Sequence, residues 1–181
     1  MTKKKNEFFP VIFLTLIVLI SVVALVLTNG ITKDKIATVK RDAVSEMLAT
    51  LFPKMDDYTY DEASELYTPL KNGEPLGHAF MAYPKGYGGT IDILIGLEPD
   101  ASLRGIRIIA QQETPGLGSK IVDQSFLGQF KGLAPTDVRL SRDGGKVDAI
   151  TGATISSSAV INGVREAILS KLNAINNGGT N

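Results

Sequence analysis

The chain has 181 residues, 19 basic and 19 acidic side chains that cancel to a formal net charge of zero, and 44% hydrophobic residues. It contains no cysteine and a single histidine, His78, which excludes disulfides, thiolate metal sites, iron–sulfur ligation and a histidine-rich metal centre. The balanced charge leaves no electrostatic footprint for nucleic acid, and the size suits one globular domain plus one membrane segment.

Lys3, Lys4 and Lys5 precede an apolar run from Phe8 to Thr28. About twenty apolar residues are enough to cross a bilayer as a helix, so residues 8–29 read as a transmembrane helix behind a short basic tail, 1–7. Only Thr15 and Ser21 bring polar atoms into the run, and a helix can satisfy both internally. The competing reading is a cleaved signal peptide. Its apolar core is shorter and ends at a small-x-small site, whereas this run ends Val26-Leu27-Thr28-Asn29-Gly30, which favours an uncleaved anchor. The flanking lysines place the N-terminus in the cytoplasm, but Lys33, Lys35, Lys40 and Arg41 follow the span, so charge alone leaves the orientation open.

Residues 30–54 form a juxtamembrane stretch. From Thr32 to Leu51 a stripe of Ile36, Val39, Ala43, Met47 and Leu51 predicts an amphipathic helix, with Pro53 just beyond its end. Asp56, Asp57, Asp61 and Glu62, with Tyr58 and Tyr60 between them, read as a solvated acidic face, with a metal site as the weaker alternative. Antiparallel strands are expected over 63–70, 76–83, 90–97 and 103–111, with turns at Lys71–Pro75 and Pro99–Ser102 and a glycine-rich loop at Pro84–Gly89. Hairpins followed by a helix make an α+β domain.

Two stretches after the strands carry chemistry. Glu113-Thr114-Pro115-Gly116-Leu117-Gly118-Ser119-Lys120 is a fixed, closely approachable loop; its glycine-to-lysine spacing is not that of a P-loop. Asp148-Ala149-Ile150-Thr151-Gly152-Ala153-Thr154 leads from a strand-like piece into a helical pattern with Val160, Ile161, Val164, Ile168 and Leu172 on one face. Ser156, Ser157 and Ser158 are its N-cap candidates, and no Gly-x-Ser-x-Gly elbow surrounds them to suggest a serine hydrolase. Thr154 then sits at a strand-to-helix turn, where free N–H groups and the helix dipole favour an anion, phosphate especially. By residue type alone, a structural turn and a phosphate site both remain open.

The order of residues in the second stretch resembles the flavinylation motif of the FMN-binding family: Asp, two variable residues, Ser or Thr, Gly, Ala, then Ser or Thr. The first stretch resembles that family's Glu-Thr-Pro-Gly-Leu-Gly loop, and Gly86-Tyr87-Gly88-Gly89 fits its layout. The resemblance covers nearly the whole chain and is nearest to the flavin subunits of Rnf-type membrane electron transport complexes, with their counterparts in sodium-pumping NADH:quinone oxidoreductase as usually longer cousins. It implies that Thr154 is the acceptor of a covalent FMN, joined through its phosphate by a flavin transferase that draws on FAD. It also implies that Glu113, Thr114, Gly116, Leu117, Gly118, Thr151, Gly152 and Ala153 contact the cofactor and that Asp148 is read by the transferase.

The domain of residues 55–181 would be an extracytoplasmic FMN-binding domain on a single-pass cell-membrane anchor. It would work as an electron carrier, not a stand-alone catalyst, with other complex subunits, the transferase and the bilayer as partners. A noncovalent phosphate-binding module and a pilin-like structural subunit are the rivals; the latter needs a glutamate inside the apolar run, and Glu7 lies before it. His78, in a strand-like run, reads as structural. Tyr58, Tyr67, Tyr83 and Tyr87 read as packing residues, with stacking on a flavin as the alternative.

Overall fold

A computed structural model describes residues 11, 13–22 and 42–177 of the chain. It divides into two compact units, residues 1–44 and 45–181. In the first, the described part of the expected span is helical. Its apolar side chains stand exposed, from 44% at Ile17 to 64% at Leu14. The Thr15 and Ser21 hydroxyls donate to the carbonyls of Val11 and Ile17, at 2.8 and 2.9 Å, so the helix satisfies its own polar atoms. The rest of 8–29, the tail 1–7 and the first ten residues of the expected 32–51 helix lie outside the described residues. Among the described residues, no helix is long and apolar enough to cross a membrane.

The second unit is built on an antiparallel sheet. Its strands are β1 (Asp57–Asp61), β2 (Leu66–Lys71), β3 (Glu74–Pro75), β4 (His78–Ala82), β5 (Asp92–Leu97) and β6 (Leu103–Ala110). The order is β1-β2-β4-β5-β6, with β3 folding back on the end of β2 across the Asn72-Gly73 turn. The alternation that predicted β5 decides which of its side chains meet the main core. Ile91, Ile93, Ile95 and Leu97 are fully buried and face the main core with Phe80, Phe126 and Phe130. The C-terminal helix, Thr154–Asn177, closes that core with Val160, Ile161, Val164 and Ile168, all at 0% exposure. Burying such side chains stabilises by about 1.5–3 kcal/mol each before entropy is charged. Farther along the helix, the Lys171 ammonium donates to the Ser64 carbonyl and to Glu65.

The opposite face of β5 is covered from the N-terminal side. Residues 42–49 are helical, and Leu51 and Phe52 pack over Gly96, with the Arg104 guanidinium 4.6 Å from the centre of the Phe52 ring. The buried positions here are Leu48 and Phe52, while Ala43 is exposed and Met47 half-buried. Of the stripe read in the sequence, Leu51 packs on the sheet, beside the fully buried Leu48 and Phe52.

The acidic stretch at 57–61 is exposed, as a solvated face should be, apart from half-buried Tyr58, and forms an edge strand paired residue for residue with β2. One strand boundary changes. The expected 63–70 strand starts only at Leu66, because 62–65 form a turn with Glu65 at φ 53°.

Candidate functional site

The turn that leads into the C-terminal helix is closed by the Ala153 N–H donating to the Ile150 carbonyl. Gly152 sits at φ +80°, a left-handed conformation that costs any other L-residue about 1–2 kcal/mol. The helix begins at Thr154, upstream of the serines, so Ser156, Ser157 and Ser158 are not its N-caps. Two of them, Ser156 and Ser157, are buried tie-points within the first turn. The Ser157 hydroxyl accepts from the Ile150 N–H and donates to the Ala153 carbonyl, at 3.0 and 2.9 Å, stapling the turn to the helix. The first intrahelical bond runs from the Ser157 N–H to the Ala153 carbonyl. The N–H groups of Thr154, Ile155 and Ser156 precede it and remain for a ligand, at the positive end of the helix dipole.

The Glu113–Gly118 loop lies against this turn. It is wound by the N–H groups of Leu117 and Ser119, which both donate to the Thr114 carbonyl, and by the Gly116 N–H, which donates to the Ser119 hydroxyl. Glu113 is only 5% exposed. Its carboxylate accepts from the Gly88 N–H at 3.0 Å and from the Ser156 hydroxyl. Gly118 is packed so tightly here that a Cβ would stand 2.7 Å from Ser156 Oγ and 2.8 Å from Glu113 Oε2.

Between loop and turn opens a cleft of about 450 Å³, lined by Thr114, Leu117 and Gly118 on one side and by Gly152, Ala153 and Thr154 on the other. Two stretches more than thirty residues apart in the sequence thus meet in one cavity. Tyr87, Ile155 and Ser156 complete the lining. Neither Ile155 nor Ser156 is expected in the site from the sequence, because Ile155 looks like an ordinary helix residue and Ser156 like a cap. Thr154 is exposed and therefore reachable by a modifying enzyme.

Other candidate residues lie outside the lining. Glu113 stands behind the wall, and Gly116 and Thr151 lie outside it. Asp148 is exposed, its backbone paired with the Gln129 amide and its side chain accepting from the Ser141 hydroxyl. Of the tyrosines, Tyr58, Tyr60 and Tyr67 pack on one another, and Tyr83 borders a larger groove of about 680 Å³ beside Ala159 and Gly163. That groove contains no motif residue, so size does not select it. His78 lies in β4 opposite Leu97, where burial lowers its pKa. Among the described residues no group of three or more His, Cys, Asp or Glu side chains could hold a metal ion.

The cleft fits the group that the motifs imply. Its volume lies within the range of about 300–1,000 Å³ typical of cofactor sites. Tyr87, Leu117 and Ile155 are exposed at its rim and offer apolar surface to a planar ring, and the helix start offers N–H groups to a phosphate.

Residues 86–169, which carry every element of the cleft, match the FMN-binding domain. Over 192 aligned residues the chain is 32% identical to the G subunit of the ion-translocating oxidoreductase complex of Aliivibrio fischeri, covering 92% of this chain and 89% of that one. It is 31% identical to the protein of the same name from Methanosarcina acetivorans, covering 87% and 91%. The chain belongs to the family of ion-translocating oxidoreductase complex G subunits. The fold is shared with the crystal structure of Shewanella oneidensis NqrC, with a TM-score of 0.52 at 20% identity over 66% of this chain and 69% of that one.

Proposed function

We propose that this chain is a membrane-anchored electron-transfer subunit carrying FMN on Thr154, and that it relays electrons within an Rnf-type ferredoxin:NAD oxidoreductase complex coupled to sodium or proton movement. The observation that carries this reading is the meeting of the Glu113–Gly118 loop and the Asp148–Thr154 turn in one cleft, with an accessible threonine hydroxyl at a helix N-terminus. A relative from Clostridium ljungdahlii, 39% identical over 105 residues (56% of this chain and 57% of that one), is named as the G subunit of a proton-translocating ferredoxin:NAD(+) oxidoreductase complex. Sequence identities of 31–39% to G subunits, against 20% to the structurally similar NqrC, favour the Rnf-type assignment over the sodium-pumping quinone reductase.

Attachment would join the Thr154 oxygen to the FMN phosphorus of FAD. The pyrophosphate bond breaks, AMP leaves, and the hydroxyl proton passes to the transferase or to water. Thr154 has no general base among its bonded neighbours, so activation belongs to that enzyme and its metal. The product phosphodiester keeps one negative charge, which the N–H groups of residues 154–156 are positioned to receive. The bound flavin supplies one- and two-electron chemistry. The chain's own residues enclose the ring and hold the phosphate; Asp148, exposed on the approach to the turn, is assigned to recognition by the transferase. Residues 8–29 form the anchor in this reading. The exposed apolar surface of residues 13–22 and their internally bonded hydroxyls suit hydrocarbon. The FMN domain is placed on the extracytoplasmic side.

The test is co-expression with a flavin transferase, followed by a denaturing gel and intact mass. Wild type should fluoresce in the gel band and gain one FMN less one water, and Thr154→Ala should do neither while accumulating normally. A dark, unshifted wild-type band beside a labelled control substrate would replace this reading with a noncovalent binding module. Retention in the membrane pellet after an alkaline wash tests the anchor, and release into the supernatant would refute it.

A further inference from the structure

The cleft has three rim side chains, and each comes from a different segment: Tyr87 from the loop after β4, Leu117 from the Glu113–Gly118 loop, and Ile155 from the first turn of the C-terminal helix. They are 70%, 48% and 61% exposed, so packing against the protein does little to fix them. The residue that follows each of them in the chain bonds to or packs beside one group, the Glu113 carboxylate. Gly88, after Tyr87, donates its N–H to Oε1. Ser156, after Ile155, donates its hydroxyl to Oε2. Gly118, after Leu117, packs beside both groups, where an added Cβ would meet Ser156 Oγ and Glu113 Oε2 too closely to fit.

Glu113 and Ser156 are both nearly inaccessible, at 5% and 3% exposure. A buried carboxylate is costly unless its lone pairs are satisfied, and here both oxygens are used. We propose that Glu113 is the positioning residue of this site, a single buried hub on the loop of Leu117 that locks the Tyr87 and Ile155 segments to that loop, so that Tyr87, Leu117 and Ile155 close as one clamp on a flavin ring. The inference rests on the reading that FMN is attached at Thr154, and it concerns the ring, whereas the attachment concerns the phosphate.

That separation makes the two distinguishable. With the phosphate tied covalently, a loosened clamp does not release the cofactor; it frees the ring to move and to meet water. The experiment uses the full flavinylated chain and compares wild type, Glu113→Ala, Glu113→Gln and Ser156→Ala. The gel-band fluorescence and intact mass report attachment. Flavin fluorescence anisotropy and the fine structure of the visible absorption band, taken on the folded protein, report the clamp.

In Glu113→Ala, anisotropy should fall at least twofold and the absorption band should smooth toward that of free FMN, with attachment retained. Glu113→Gln, whose amide oxygen can accept from Gly88 and whose amide nitrogen can donate to Ser156, should restore most of the wild-type signal. Ser156→Ala, which removes one arm of the hub, should fall between them and keeps the test open if Glu113→Ala does not fold. Attached flavin with wild-type anisotropy and band shape in Glu113→Ala, or in Ser156→Ala where that is the variant that folds, would overturn the hub. Failure of Glu113→Gln to recover the signal lost in Glu113→Ala would do the same. An unlabelled wild type would instead fail the attachment reading.

Discussion

Two carboxylates flank the cleft, one in each motif, and they are held in opposite ways. Glu113 is buried, with both oxygens bonded inside the protein. Asp148 is exposed, its backbone paired with Gln129 and one oxygen taken by Ser141. A buried, satisfied acid serves cohesion, because its loss strands the groups that bond to it. An exposed acid on an ordered backbone remains legible from outside. Similar side chains in the two motifs are therefore suited to different tasks, one facing the protein and the other facing solvent, where the proposed transferase would meet it.

Stability and labelling should separate these tasks. The largest effect on stability is expected for Glu113→Ala, which leaves the Gly88 N–H and the Ser156 hydroxyl without their acceptor; at about 1–3 kcal/mol for a stranded buried group, urea unfolding of the full chain in mild detergent should report a loss in that range or above. Asp148→Ala should unfold within about 0.5 kcal/mol of wild type yet lose most of its flavin label. Equal destabilisation by the two variants would erase the contrast. Gly152→Ala should cost about 1–2 kcal/mol, because φ +80° is strained for alanine, and the same gel would show whether a distorted turn is still labelled. Ser157→Ala removes the staple of that turn and should cost roughly 1 kcal/mol.

The smallest effect concerns pH. Burial lowers the His78 pKa below its usual 6.5, so between the folded and unfolded values the unfolded chain binds more protons. Stability should therefore fall as pH drops below about 6.5 and level off once pH passes below the folded value. His78→Gln should flatten that slope, and an unchanged slope would assign it to other groups.

The strands and the two motifs are readable because their signals are local. In β5 the alternation Ile91, Ile93, Ile95, Leu97 states which face is inward, and the C-terminal helix states its buried face through Val160, Ile161, Val164 and Ile168. What escapes is relational. Glu113 and Ser156 stand 43 residues apart, and nothing in either neighbourhood announces that they bond. The three serines read as caps because a cap is the commonest use of a serine before an apolar face. Their actual use depends on the helix starting earlier, at Thr154. The stretch from Gly118 to Asp143 folds as short helical turns of three to five residues, too brief for any periodicity to register, although it supplies Phe126 and Phe130 to the core.

The placement of Thr154 at the head of a 24-residue helix also has a consequence for the order of events during synthesis. When residue 154 leaves the ribosome, the helix that presents its hydroxyl does not yet exist. The side chains that seat that helix, from Val160 to Ile168, are still to come, as is Lys171, which ties it to the turn after β1. The turn can take its final shape only once those residues have emerged and docked. On the proposed attachment at Thr154, an enzyme that reads the folded turn would have to wait for a finished domain, and the label it left would certify that the domain had folded.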